Sequence, residues 1–224
     1  IVYSNDGNYV MTYTQWDRKT ARLAVASSKD LLHWTKHGPA FAKALNGKYL
    51  NTWSKSGSIV TALKNGKLVA VKIKGKYWMY WGEGSVGLAY SSNLKDWTIV
   101  EDSQGKPLQI LSRRQGKFDS ELVEAGAAAI LTSRGILLLY NGKNSAVSGD
   151  SRIGAGAYCA GQALFSSTDP TKFLQRLDDP YLKPEKDYEK TGQYSAGTTF
   201  TEGLVYFKGR WFLYYGCADS FVSV

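Results

Sequence analysis

Two glutamates stand where their surroundings would let a carboxylate do chemistry. Glu83 lies in "KYWMYWGEG", Lys76 to Gly84, where an apolar run ends on a carboxylate held between two glycines. Glu124 lies in "EAGAAAIL", whose small residues allow the backbone to pack tightly beside a pocket while the carboxyl points into it. A pair facing one cavity is what acid/base hydrolysis needs: one group binds or activates water while another manages the leaving oxygen. Asp119 is a further candidate close to Glu124, whereas Glu121 reads as a surface residue.

Other chemistries find less support. The two histidines, His33 and His37, share one turn region and have no cysteine or histidine cluster at ligand spacing, so no metal site is expected. No Gly-x-Ser-x-Gly elbow occurs. The stretch "GAGAYCAG", Gly154 to Gly161, has the glycines of a phosphate loop but no helical pattern after it, and reads as a small-residue strand. No cofactor is expected.

A repeat accounts for the placement of Glu83. "GNYVMTYTQWD", "GKYWMYWGEG", "GILLLYNGKN" and "GRWFLYYGCAD" each lead from a glycine turn through an apolar strand to an aromatic and then a polar group. Three of them are followed by a second strand that closes on Ser-Ser, a polar turn and an aromatic: "ARLAVASSKDLLHW", "VGLAYSSNLKDW" and "GQALFSSTDPTKF". These are hairpin signatures, because Ser, Asp and Asn side chains bond their own backbone in turns. Short-strand repeats of this size predict an all-β fold, a β-propeller whose blades surround a central channel. The polar groups that follow the apolar strands, namely Gln15, Asp17, Glu83, Asn141, Asn144 and Asp219, are expected to converge at the channel mouth. Tyr140, Tyr214 and Tyr215 are expected to be blade core.

The chain has 224 residues, of which 43% are hydrophobic and 13% aromatic, enough for one sizeable core, and a single domain over residues 1–224 is expected. The net charge of +9 comes from lysines scattered through probable turns, such as Lys19, Lys64 and Lys106, which is a solvated surface and not the clustered stripe of a nucleic-acid binder. No apolar run reaches the roughly 20 residues of a membrane-spanning helix. Cys159 and Cys217 lie in apolar strand-like runs, where two buried thiols and a disulfide both fit. The abundant Trp and Tyr fit sugar binding as well as core packing.

Three ordered stretches carry a family resemblance: "FDSELVEAGAAAILTSRGILLLYNGKN", "DPTKFLQRLDDPYLKPEKDYEKTGQ" and "FTEGLVYFKGRWFLYYGCADSFVSV". Together they resemble glycoside hydrolase family 130, the β-mannoside phosphorylases and β-1,2-mannosidases. The resemblance implies a five-bladed β-propeller, inversion at the anomeric carbon and a mannosyl unit at the non-reducing end of a mannose-containing oligosaccharide. On that pattern this chain would hold about three blades and part of a fourth, truncated at both ends, with the family's acid aspartate ahead of Ile1. Two departures from the phosphorylases point to the hydrolase branch. They usually carry a histidine that helps hold phosphate where this chain has Asn141, and a glycine where it has Glu124. Two unit charges about 4 Å apart repel by roughly 4 kcal/mol at an effective dielectric near 20, so a carboxylate there opposes phosphate. The resemblance assigns Glu83 and Glu124 to the attacking water, and Asp219 and Asn141, with Lys55 beside them, to substrate contacts; Asp119 is the further substrate-binding candidate from the residues alone. It implies a periplasmic, cell-surface or secreted enzyme sooner than a cytoplasmic one.

Overall fold

Each of the four glycine turns opens a strand in the computed structural model, which describes residues 1–224: Tyr9–Trp16, Lys76–Trp81, Gly135–Lys143 and Arg210–Cys217. Each is paired antiparallel on both sides, so it is a middle strand of its unit. The partner that precedes it in the chain is Val2–Tyr3, the start of Gly57–Lys64, Leu122–Ala125 and Phe200–Phe207 in turn. Neighbouring units join through parallel pairs, Tyr3 with Val69, Ala129 with Val60 and Tyr158 with Thr198. The chain is all-β; its only α-helix is the four-residue Asp187–Lys190. No helix is long and apolar enough to cross a membrane.

The hairpin turns form as their residues predict. The Ser28 hydroxyl accepts the N–H groups of Asp30 and Leu31, and Ser91 accepts those of Asn93 and Leu94. Asp30 and Asn93 accept the next two N–H groups, and the Trp34 and Trp97 indoles donate back to the carbonyls of Leu31 and Leu94. Leu31 and Leu94 take φ of 66° and 63°, the left-handed conformation that this closed network requires. The third turn keeps Ser166 bonded to the Thr168 N–H but gives the capping role to Asp169, which accepts from Thr171.

The unbroken apolar run before Glu83 has a packing cause. Side chains alternate across a strand, and here both faces are buried. Tyr77, Met79 and Trp81 enter one cluster of 16 buried residues around Trp97, while Tyr80 enters a second of 16 around Tyr140 and Phe165. The thiols of Cys159 and Cys217 are both free and buried. His33 sits in the expected surface turn, paired with Asp30, but His37 is in the strand Thr35–Pro39, bonded to Ser27. Tyr140 and Tyr215 are core, as expected; Tyr214 is not, being 42% exposed.

Candidate active site

Three chain segments are tied together by the backbone of Gly82. Its N–H donates to the carbonyls of Lys55 and Ser56, and its own carbonyl accepts the N–H of Ala125. Glu83 and Glu124 thereby come to one wall. Gly82 takes φ of +115°, and a Cβ there would stand 2.8 Å from the Ser85 carbonyl oxygen; Gly84 takes φ of +87°. The glycines flanking Glu83 are therefore demanded by the turn itself.

The two glutamates sit in different environments. Glu83 is partly exposed, accepting from the Trp53 indole N–H at 2.9 Å and lying 3.4 Å from the Lys55 ammonium. Glu124 is 4% exposed, with one partner, the Ser56 hydroxyl at 2.5 Å. Burial raises its carboxyl from the ordinary 4.5 to about 7; the Ser56 hydrogen bond opposes this shift and the charge of Glu83 adds to it. A carboxyl held there changes protonation near neutral pH, the range in which general acids and bases work best.

Both line a cavity of about 350 Å³ together with Lys55, Ser56, Tyr158, Glu202 and Asp219. Burial pushes the Tyr158 hydroxyl up to about 12. Four of the residues expected at the site, Glu83, Glu124, Lys55 and Asp219, thus meet. The others do not. Asp119 is fully buried, accepting from the Tyr140 hydroxyl and paired with Arg114 and Arg176. Asn144 is buried and donates to the carbonyls of Asp150, Ile153 and Gly154, holding a loop closed. Asp17 accepts the N–H groups of Lys19 and Thr20 and pairs with Arg22 in an exposed turn, and Gln15 is exposed on the strand before it.

The family model of beta-1,4-mannooligosaccharide phosphorylases, glycoside hydrolase family 130, covers residues 1–224. The chain belongs to that family. It is 28% identical over 222 residues to a 1,2-beta-oligomannan phosphorylase of Thermoanaerobacter sp. (strain X514), covering 98% of this chain and 64% of that protein. A solved glycosyl hydrolase from Bacteroides ovatus is 55% identical, with a TM-score of 0.96 over 99% of this chain and 62% of that one. A further solved structure, 56% identical with a TM-score of 0.97, covers 99% and 62%. It is described with the statement that the GH130 family of mannoside phosphorylases contains glycoside hydrolases that target beta-1,2 mannosidic linkages in Candida mannan. The GH130 chain here spans a little under two thirds of the length of these relatives.

Sequence reasoning missed several wall residues of this GH130 chain. Glu202 is the extra residue of a β-bulge, since Thr201 pairs with Tyr215 and Gly203 with Tyr214. Bulges re-aim side chains, and this one brings Glu202, still exposed to solvent, to the cavity wall. Asn141, expected to touch substrate, is fully buried and instead clamps the bulge: its Oδ1 accepts the Thr201 N–H and hydroxyl, and its Nδ2 donates to the Thr201 carbonyl. Asn141 also pairs through its backbone with Glu124, so it links the strands that carry the two carboxylates.

Proposed function

We propose that this chain is part of an inverting, exo-acting β-1,2-mannosidase that hydrolyses mannan-type oligosaccharides. The observation that carries the reading is the buried Glu124 carboxyl facing the same cavity as Glu83, at a position where the resemblance gives phosphorylases a glycine. Phosphate entering beside two carboxylates meets like charge, whereas water meets hydrogen-bond acceptors. The 55% identity to a solved structure described as a glycosyl hydrolase, against 28% and 32% to phosphorylases, favours the same side.

In this mechanism Glu83 and Glu124 hold the attacking water, and Glu124, ionised above about pH 7, takes its proton. Trp53 and Lys55 fix the Glu83 carboxylate, and the Ser56 hydroxyl orients that of Glu124. Lys55 and Asp219 contact the mannosyl ring. The antiparallel units are the blades of a five-bladed propeller with the cavity at its centre, and the leaving-group proton falls to the aspartate that the resemblance places ahead of Ile1. Mannan fragments would reach the enzyme in the periplasm, at the cell surface or outside.

The second reading, a β-mannoside phosphorylase releasing mannose 1-phosphate, draws on the phosphorylases among the family's relatives. A non-catalytic glycan-binding propeller is the third. Kinetics of Glu83→Gln and Glu124→Gln in the complete enzyme test the assignment. Each should lower kcat by roughly 10² to 10⁴ with KM little changed, because shape is kept and proton-accepting ability is lost. Full activity in both variants would contradict it.

A further inference from the structure

Two tryptophans stand exposed just outside the cavity. Trp16 is 55% exposed and Trp53 50%, and their rings meet edge to face with centroids 5.8 Å apart. Trp81 and Trp97, by contrast, are buried almost completely. Trp16 follows Thr14 by two residues in the strand Tyr9–Trp16, and Thr14 lines the cavity. Alternation along the strand places Trp16 on the same side, one step further out.

The pair is held in place. The Trp53 indole N–H donates to Glu83 at 2.9 Å, which fixes that ring against a carboxylate of the cavity. Arg22 joins the two supporting segments: it donates to the Leu50 carbonyl at 3.0 Å and the Asn51 side chain at 2.9 Å on the Trp53 side, and pairs with Asp17 beside Trp16. An aromatic platform fixed before binding loses little entropy when a ligand arrives.

Resting on the exo-acting mannosidase reading, we infer that Trp16 and Trp53 form an outer sugar subsite, stacking on the C–H face of a pyranose beyond the mannosyl unit held in the cavity. A cavity of about 350 Å³ takes the terminal unit, and the remaining units must leave across the rim. Tryptophan faces suit this ligand because the apolar C–H face of a pyranose packs on an aromatic ring while its hydroxyls stay in water. Trp53 thereby contacts both the outer sugar and Glu83, so occupancy of the outer subsite bears on the orientation of a residue in the reacting cavity.

The test is equilibrium binding to the complete enzyme carrying Glu124→Gln, so that ligands persist, using mannose and β-1,2-mannotriose without phosphate. Adding Trp16→Ala should weaken mannotriose about threefold to tenfold and leave mannose unchanged, and Trp16→Phe should restore most of the loss. Unchanged mannotriose affinity, equal weakening of both ligands, or no rescue by phenylalanine would overturn the subsite. Mannose release by the wild type is scored separately, so a failure of the hydrolytic reading leaves the binding result to stand or fall by itself.

Discussion

The Glu124 carboxyl is held at about 7 because its wall excludes water and Glu83 stands beside it. A carboxyl whose folded-state pKa lies above its ordinary 4.5 binds its proton more tightly in the folded chain. The stability this brings is fully present below about pH 4.5 and is lost as pH rises through about 7. Glu124→Gln carries no such proton. Its melting temperature relative to wild type should therefore climb between about pH 5 and pH 8; a difference that stays flat across that range would contradict the burial account. In the wild type, kcat/KM should rise with pH to a limb near 7, and that limb should vanish in the Gln variant. Asp119 differs in kind. It is fully buried between Arg114 and Arg176, so Asp119→Ala strands buried positive charge and should cost about 3–5 kcal/mol in urea unfolding, with KM unaffected in the folded fraction. A raised KM with unchanged stability would return Asp119 to the substrate.

Strand packing is tightest where Gly135–Lys143 meets Tyr158–Phe165. A Cβ on Gly161 would lie 2.2 Å from Tyr140 Cζ and 2.6 Å from Phe118 Cζ. Gly161→Ala should accordingly destabilise by about 1–3 kcal/mol or more, read from thermal unfolding; a neutral result would mean that the two rings move freely. Elements of this kind were largely legible in the sequence. The turns at Ser28 and Ser91 repeat one network because its donors and acceptors lie within six residues of each other, and local chemistry suffices to read them. Glu83 and Glu124 were legible because a carboxylate beside small residues breaks an apolar pattern. Asn141 and Asp119 were misplaced for the opposite reason. Their decisive partners, Thr201 and Arg176, are 60 and 57 positions away, and a polar residue after an apolar strand looks the same whether it faces a cavity or a buried partner. Glu202 gave no sequence signal, since the bulge that aims it appears only in the register of two paired strands.

For the whole molecule, two apolar clusters on either side of the Lys76–Trp81 strand hold one cavity wall while the bulged strand Phe200–Phe207 supplies another. Carboxylates from three units, Glu83 from one, Glu124 from the next and Glu202 with Asp219 from the last, line one space that only long-range strand pairing could assemble. Such a concentration of acceptors suits water and sugar hydroxyls and opposes a phosphate dianion. The distinction is chemical, so the products decide it. The complete enzyme should be incubated with a β-1,2-linked mannooligosaccharide, with and without inorganic phosphate, and the products identified. Free mannose at equal rates in both conditions is the predicted result; mannose 1-phosphate, appearing only when phosphate is present, would contradict it.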